Sequence, residues 1–407
     1  MNTNLNTNLN TIYAKQVQRC VEQLQAGKEV PYSAWKAALS PFLDWMAQLD
    51  ITPQDREWHA EGTVEVHTSM VLQQMYQILD QQDFTSQERL VLVLSAVLHD
   101  LGKAKATRFR GGRIVSPGHA VMGRDHIALR LRSAGFSGAL IRQVLGLVGH
   151  HHDPKHLMVQ DAPERAFRRL ARIADVQLLY WLEQADLRGR IAPDLQEQME
   201  WLDLFKMQCE EHNIWEQDPY QDWLQPLQDF EPYIQQSAVL DYEEGHIFSP
   251  EEAISRSFRW RNRPSELLIL CGLSGSGKST WVKEHCPDAV VVSMDDLRED
   301  LSGDRGDQSV NGQVWQQARE DLKKALRSGQ QVVWDATCIR KLSRERLINL
   351  GVDYHAWVKL VVFHTSPETA LRQNTMREHA VPAGVIAAQV EGFQFPEVTE
   401  AHEVCFV

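Results

Sequence analysis

The sequence predicts a multidomain protein in which an all-α region precedes an α/β domain built on a parallel sheet. Between residues 63 and 190, apolar residues recur at the three- and four-residue spacing of amphipathic helices. After Pro264 the pattern changes, and short apolar segments alternate with helical ones. This alternation is typical of parallel strands joined by crossover helices. The buried strands are predicted at 267–271, 289–293, 331–334 and 358–363.

The helical region carries two local signals of helix structure. Thr85-x-x-Glu88 has the spacing of a capping box and predicts the start of the helix that contains the apolar run 90–98. Residues 165–182 form a long amphipathic run that predicts another helix. Residues 12–60 are also expected to be helical. Residues 1–11 are a polar Asn/Thr/Leu repeat without the charge or apolar core of a signal peptide, and we expect a disordered tail there.

Composition restricts the classes of function. The net charge of −13 argues against extensive coating of nucleic acid, although a local basic groove is compatible with it. Six scattered cysteines without a Cys-x-x-Cys motif suggest a reduced cytosolic compartment. The longest apolar run, 90–98, is too short to span a bilayer. We therefore expect a soluble cytoplasmic protein with no membrane partner.

A bridge of short packed helices is predicted over residues 196–263, where tryptophans are interleaved with acids and prolines. Its last part holds the densest basic stretch of the chain, which consists of Arg256, Arg259, Arg261 and Arg263. These arginines could bind a nucleic-acid backbone or lie on a solvated helix face. The expected division is a tail over 1–11, a helical domain over 12–195, the bridge, and an α/β domain over 264–407.

A phosphate-binding loop is the sharpest motif in the chain. Residues 272–279 match Gly-x-x-x-x-Gly-Lys-Ser between a predicted strand and a predicted helix. The glycines allow the backbone N–H groups to surround an anion, Lys278 would reach the outer phosphates, and the Ser279 hydroxyl would hold Mg²⁺. We expect ATP or another nucleoside triphosphate, bound by Gly272, Ser274, Gly275, Ser276, Gly277, Lys278, Ser279 and Thr280.

Histidines and aspartates recur in order along the helical region. The set consists of His67, His99 with Asp100, His119, the triplet His150 to His152, and Asp186. Imidazole and carboxylate together suit divalent Mn, Ni, Co, Fe or Zn. Five other histidines are expected to take no part, namely His59, His126, His156, His212 and His246.

This ordered set resembles the HD phosphohydrolase superfamily, whose all-helical members hydrolyse phosphate esters with bound metal. The Ala-Asp-Leu-Arg-Gly-Arg ending is also similar to the HD domain of some bacterial CCA-adding enzymes, which acts on 2′,3′-cyclic phosphates and phosphomonoesters. The resemblance implies that Asp100 bridges two metals, the first held with His67, His99 and Asp186 and the second with His119 and His151. A mononuclear site and another member of the triplet remain open. Lys103 would touch a phosphate oxygen or be a solvated lysine.

Charged residues after the loop bear on what receives the phosphate. Asp295 and Arg298 follow the second strand, so they could accept a hydroxyl proton and pair with a phosphate of the acceptor. Asp335 follows the third strand and could orient a Mg²⁺ water. Arg377, on a predicted hairpin, could stabilise the transferring phosphoryl group. Each arginine on its own could equally form a surface ion pair.

These motifs over residues 267–395 resemble the 5′-hydroxyl polynucleotide kinases, as in the phage end-healing enzyme. The matching pieces are the loop followed by Thr-Trp, Asp-Asp-x-Arg, Asp-x-Thr, and Asn-x-x-Arg before Ala-Val-Pro. The resemblance implies that Asp295 is the general base, that Arg298 contacts the acceptor phosphate, and that Arg377 is the lid arginine.

The order of the two halves resembles the bacterial HD–polynucleotide kinase family of repair enzymes. It implies kinase activity on 5′-OH ends and 2′,3′-cyclic phosphodiesterase or 3′-phosphatase activity on RNA or DNA, which would prepare ends for a ligase. One alternative is an HD nucleotide phosphohydrolase fused to a small-molecule kinase. A second is a nucleotide-sensing regulator without turnover.

Overall fold

The computed structural model describes residues 2–257 and 265–407, with side chains from residue 12 onwards. It contains two compact units, Met1–Pro219 and Tyr220–Val407, so the division falls inside the segment predicted as a bridge. The basic stretch at Arg259, Arg261 and Arg263 lies outside the described residues. Among the described helices, none combines the length and apolarity that crossing a bilayer requires.

The first unit is helical, as predicted. Its helices are α1 (Asn2–Gln25), α2 (Tyr32–Leu39), a 3-10 helix (Asp44–Gln48), α3 (Val64–Gln81), α4 (Ser86–Leu98), α5 (Lys103–Ala106), α6 (His119–Ser133), α7 (Gly138–His150), α8 (Asp153–Val159), α9 (Glu164–Ile173), α10 (Val176–Arg188) and α11 (Leu195–Glu211). A hairpin of β1 (Arg108–Arg110) and β2 (Arg113–Val115) lies between α5 and α6.

Helix α4 forms the centre of this unit. Every residue from Leu90 to Leu98 is buried, and the helix packs against α3, α7 and α10. The predicted capping box begins it, because the backbone N–H of Glu88 donates to Thr85 Oγ1 at 3.2 Å and the N–H of Thr85 donates to Glu88 Oε2 at 2.7 Å. A helix buried on all sides has fixed ends, and the residues that follow α4 are held equally firmly.

The structure differs from the sequence predictions for this unit in three places. The run 165–182 is two helices, because the Asp175 carboxylate accepts from the N–H groups of Gln177 and Leu178 and so begins α10 as its cap. The hairpin was not predicted, since three-residue strands are too short to show a period. Residues 2–11, predicted as a disordered tail, belong to α1, since extending an existing helix costs far less than nucleating one.

The second unit is an α/β domain. Its helices are a 3-10 helix (Gln225–Leu227), α12 (Pro232–Glu243), α13 (Pro250–Arg256), α14 (Lys278–His285), α15 (Met294–Ser302), a 3-10 helix (Gln308–Val310), α16 (Asn311–Arg327), α17 (Lys341–Asp353), α18 (Pro367–Asn374) and α19 (Ala383–Glu391). Its strands are β3 (Glu266–Cys271), β4 (Val290–Ser293), β5 (Gln331–Asp335), β6 (Trp357–Val362) and β7 (Glu403–Phe406).

These five strands form one parallel sheet in the order β4-β5-β3-β6-β7. The four predicted strands are present, and β7 adds a fifth that the sequence pattern did not indicate. The carboxyl ends of parallel strands lie at one edge of a sheet, where open α/β sheets bind their ligands. The segments that follow β3, β4 and β5 therefore meet at this edge, and they carry the phosphate loop, Asp295 and Asp335.

Candidate functional site

The predicted metal ligands of the first unit converge from the ends of four helices and the first turn of α3. His67 lies in α3, His99 and Asp100 follow α4, His119 begins α6, His151 follows α7, and Asp186 is near the end of α10. All six side chains are buried. Asp100 joins them, with Oδ2 3.3 Å from His99 Nε2 and Oδ1 3.1 Å from His119 Nε2. Asp186 Oδ1 lies 2.9 Å from His67 Nε2.

The histidine rings are fixed in the orientation that metal ligation requires. Nδ1 of His99, His119 and His151 lies 2.9, 2.8 and 2.8 Å from the backbone carbonyls of Ala96, Ser116 and Val148. An Nδ1–H that donates to a carbonyl leaves the Nε2 lone pair free. These Nε2 atoms point at one another across the cluster, for example at 3.4 Å between His119 and His151. Such an arrangement suits a bound cation.

Asp100 supplies the clearest test of whether a metal fits. Both of its carboxylate oxygens are buried, and neither accepts a hydrogen bond of standard geometry from the part of the chain that the structure describes. Burial would raise the pKa of Asp100, but the charges of Lys103 and His99 hold it well below its usual range. The Lys103 ammonium, 2.7 Å from Oδ2, offsets part of the cost of burying this charge, while Oδ1 faces His119 Nε2 at 3.1 Å. The donor set therefore fits a divalent metal.

The structure separates the members of the histidine triplet. His150 is directed to Asp153, with Nδ1 2.6 Å from Oδ2. His151 and His152 both face the cluster, each able to offer a ligand atom within 4.8 Å of one on His119. Burial lowers the pKa of His151 to about 3, which keeps its ring neutral as a ligand must be. His152 can equally join Glu183 and Asp186, so it is a second candidate beside His151.

Lys103 is not a solvated lysine. Its side chain is buried, and Nζ lies 2.7 Å from Asp100 Oδ2 and 2.9 Å from Gln54 Oε1. It borders a cavity of about 210 Å³ that is also lined by His119, His152, Asp186 and Arg190. An ammonium group beside the metal ligands, facing a cavity, is placed where a phosphate oxygen could contact it.

Sequence reasoning missed the residues that support the ligands. Glu61 Oε1 lies 3.0 Å from His67 Nδ1 and 2.8 Å from Nδ1 of His59, a histidine expected to take no part. Burial raises the pKa of Glu61, but its hydrogen bonds to these two imidazoles bring it well below its usual value. Arg190 Nη2 lies 2.5 Å from Asp186 Oδ2. Only the i,i+4 spacing of Asp186 and Arg190 gave a sequence signal.

The phosphate loop of the second unit curls as its motif predicts. Gly275 has φ +82°, and a Cβ at this position would lie 2.3 Å from the carbonyl oxygen of Ala370, so only glycine fits. Gly277, with φ +94°, directly precedes α14. Lys278 Nζ donates to the carbonyls of Gly272 and Leu273 at 3.1 and 2.7 Å. The lysine thus lies across the loop whose backbone N–H groups begin the helix.

The remaining loop residues contact the ends of other elements. Ser279 Oγ lies 3.5 Å from Asp335 Oδ2, as a shared Mg²⁺ site would require. Burial raises the pKa of Asp335, and the Lys278 charge opposes that rise. Ser274 is held by Gln389 of α19, whose amide oxygen accepts from its N–H at 2.8 Å and whose amide nitrogen donates to its Oγ at 3.0 Å. Ser276 is buried and Thr280 exposed.

Asp295 and Arg298 form a pair on the first turns of α15. Arg298 Nη1 lies 2.5 Å from Asp295 Oδ1, and its Nε donates to Asn311 Oδ1 at 2.9 Å. The Asp295 side chain is 60% exposed whereas that of Arg298 is 12% exposed, so the arginine is positioned and the carboxylate is accessible. Asn311, which holds the arginine, was not predicted.

Arg377 lies in the segment between α18 and α19. The Asn374 amide closes this segment at its base, since it donates to the Val381 carbonyl at 2.8 Å and accepts from the Val381 N–H at 3.0 Å. Arg377 itself is exposed. Together with burial, its charge lowers the pKa of Lys278, which places the guanidinium within electrostatic reach of the phosphate loop.

Comparison with known protein families finds one match in each unit. Residues 64–192 match the family model described as HD domain, which spans every predicted metal ligand from His67 to Asp186. Residues 267–396 match the model described as AAA domain, which spans the loop, Asp295, Asp335 and Arg377. The chain joins an HD domain to a P-loop kinase-like domain. The first domain type implies a divalent metal and the second a nucleotide with Mg²⁺, so the chain has the components of an enzyme that acts on phosphate groups.

Proposed function

We propose that this protein heals broken nucleic-acid ends. Its second unit would phosphorylate the 5′-OH of a polynucleotide with ATP or another nucleoside triphosphate. Its first unit would open a 2′,3′-cyclic phosphate and remove the 3′-phosphate. The products, a 5′-phosphate and a 3′-OH, are the ends that a ligase joins.

The observation that carries the proposal is the pair formed by Asp295 and Arg298. The accessible carboxylate is suited to accept the proton of an attacking hydroxyl, and the arginine three residues away is suited to bind a phosphate on the same acceptor. A nucleic-acid 5′ end presents both groups, since its terminal hydroxyl is followed by a phosphodiester. A simple sugar or alcohol would offer the hydroxyl to Asp295 but no phosphate to Arg298.

Asp295, Lys278 and Arg377 would each take part in the phosphoryl transfer. The acceptor oxygen would bond to the γ-phosphorus as the bond to the β–γ bridging oxygen breaks, and the hydroxyl proton would pass to Asp295. Lys278 would exchange its two loop carbonyls for phosphate oxygens. Arg377, on its closed segment, would approach the oxygens of the transferring group, where positive charge lowers the barrier.

The first unit supplies a second kind of phosphate chemistry. His67, His99, Asp100 and Asp186 would hold one metal, with Asp100 shared to His119 and His151 if two bind. The metal would supply Lewis acidity to the phosphate ester. Lys103 would bind a phosphate oxygen, and the cavity beside it would hold the terminal phosphate.

A direct competition tests the kinase assignment. Labelled ATP is supplied with an equimolar mixture of a 5′-OH oligonucleotide and small hydroxyl acceptors such as gluconate. We expect label on the 5′ end of the oligonucleotide. Label on the small acceptor alone would instead favour an HD nucleotide phosphohydrolase fused to a small-molecule kinase.

A further inference from the structure

The hairpin β1–β2 is inserted between two predicted metal ligands and has an unusual surface. It follows Asp100 and Lys103 and precedes His119. Phe109 is 75% exposed, and Arg108 and Arg110 on either side of it are exposed as well. Among the described residues, neither arginine has an ion-pair or hydrogen-bonding partner for its side chain. An exposed aromatic ring and two unpaired cations on one short hairpin offer both stacking and positive charge to a ligand.

The register of the hairpin puts Phe109 on the same face as a residue that lines the cavity of the metal centre. Phe109 is paired with Ile114, and directly opposed residues of an antiparallel ladder share a face. Ile114 lines the cavity that contains Lys103, His119 and Asp186. The phenyl ring therefore extends the cavity-lining face of the hairpin out into solvent.

The hairpin is fixed to the cavity wall beside its turn and is closed by a hydrogen bond at its base. Arg113 Nη2 lies 3.0 Å from Asp55 Oδ1 and 2.9 Å from Glu57 Oε2, and its guanidinium covers the Trp58 ring at 5.6 Å. Thr107 and Ser116, at the two ends of the hairpin, share a hydrogen bond of 2.8 Å between their hydroxyls. Of the four charged or aromatic side chains on the strands, only Arg113 is used to hold the structure together.

We propose that this hairpin binds the nucleic-acid strand whose 3′ end enters the metal centre. Phe109 would stack on a base near the end on the cavity-facing side of the hairpin, while Arg108 and Arg110, which alternate with it to the other side, would pair with phosphates of the strand as it crosses the hairpin. Single-stranded nucleic acid is bound by this combination of aromatic rings and cations without regard to sequence. On a chain with a net charge of −13, a local basic surface is needed to attract a polyanion. The inference rests on the proposed hydrolase function and gives it a substrate-binding surface.

The test measures how strongly an oligonucleotide inhibits hydrolysis of a small substrate by the same site. The full-length protein hydrolyses bis-p-nitrophenyl phosphate in the presence of a single-stranded oligonucleotide with a 3′-OH end. We expect Phe109→Ala to raise the inhibition constant by about 5- to 100-fold, as loss of one stacked base predicts. Arg108→Ala combined with Arg110→Ala should lower the salt dependence of inhibition by about 1.4 in log–log slope. The activity without oligonucleotide should stay within about twofold.

Matched substitutions elsewhere on the first unit serve as controls. Met207→Ala removes an exposed apolar side chain of α11, which is 60% exposed, and Lys15→Ala with Arg19→Ala removes two exposed cations of α1. These variants should leave the inhibition constant unchanged. Equal inhibition of wild type and hairpin variants, or equal loss in the control variants, would overturn the inference. Inhibition by poly-glutamate as strong as by the oligonucleotide would also overturn it.

A second measurement is independent of hydrolysis. An oligonucleotide with 4-thiouridine at its 3′ terminus is photo-crosslinked to the protein, and we expect the crosslinked peptide to contain Phe109. Crosslinks elsewhere only would contradict the hairpin assignment. Failure of the wild-type protein to open a 2′,3′-cyclic phosphate on an oligonucleotide that crosslinks to the hairpin would overturn the proposed function while leaving the binding surface in place.

Discussion

The two candidate sites of this protein differ in how deeply their residues are buried and in how their side chains are held. At the metal centre, His67, His99, Asp100 and His151 are at most 1% exposed, and each ring is fixed through Nδ1. At the phosphate loop, Asp295 is 60% exposed and Arg377 lies at the surface. Lys278 meanwhile satisfies its ammonium with carbonyls of the loop itself.

This difference follows from where each site lies in its fold. Ligands at the ends of buried helices inherit the rigidity of a close-packed core. Residues after parallel strands lie on connecting segments, which are on the surface and can move. We therefore expect the metal centre to need only its metal, whereas the proposed kinase site would be completed by a triphosphate to which Lys278 and Arg377 move.

The largest expected effect is the loss of kinase activity alone. Asp295→Ala removes the group proposed to take the hydroxyl proton, so phosphoryl transfer to a 5′-OH oligonucleotide should fall by about 10²–10⁴-fold. Lys278→Ala should also abolish transfer. Hydrolysis of phosphodiesters should not change. Asp300→Ala, which removes an exposed carboxylate from the same helix, is the matched control and should retain kinase activity.

The converse substitution should break the metal centre alone. Loss of an outer-shell partner typically costs about 10–100-fold in metal affinity or activity. Because Asp100 contacts three of the histidines and is itself a candidate ligand, Asp100→Ala should exceed that range in loss of hydrolysis. Bound metal measured by mass spectrometry should fall with it, and kinase activity should persist. Loss of both activities in a folded variant would contradict two separate sites.

A substitution of Glu61 should have a smaller effect, and it tests whether the orientation of His67 depends on this carboxylate. Glu61→Gln keeps the shape of the side chain but removes the charge that holds His67 Nδ1. We expect metal affinity to fall by about 10–100-fold, measured by titration with a competing chelator. Unchanged affinity would show that burial alone orients His67.

The smallest effect concerns the loop. Gln389→Ala removes both side-chain hydrogen bonds to Ser274. These bonds orient Ser274 and do not contact ATP, so we expect ATP binding to lose the worth of one typical hydrogen bond, about 0.5–1.5 kcal/mol, and the KM for ATP to rise by roughly 2- to 12-fold. Val385→Ala, an exposed apolar position on the same helix, is the control. A much larger rise in the KM for ATP would indicate that the phosphate loop depends on its outer contacts as strongly as the metal centre does.

The sequence predicted what local patterns encode. The phosphate loop has a fixed spacing, and the strands β3 to β6 are short apolar runs. The set from His67 to Asp186 was recognised by its order along the chain and by its resemblance to a known superfamily. The roles of the site residues beyond that placement stay predictions.

Residues brought in by tertiary packing were not predictable in this way. Glu61 and Asn311 orient His67 and Arg298 through single contacts that leave no period in the sequence. Strands as short as β1 and β2 show no alternation, so their hairpin was missed. The sequence alone did not show which of the three adjacent histidines faces the metal centre. In the structure His150 is directed to Asp153 instead.

The most direct test uses one oligonucleotide that carries a 5′-OH and a 2′,3′-cyclic phosphate. It is incubated with ATP, Mg²⁺ and a panel of transition metals, together with wild-type protein, Asp295→Ala or Asp100→Ala, and both ends are resolved by mass spectrometry. The account predicts a 5′-phosphate and a 3′-OH with wild type, only the 3′-OH with Asp295→Ala, and only the 5′-phosphate with Asp100→Ala. An oligonucleotide left unchanged at both ends by wild-type protein would contradict the end-healing function.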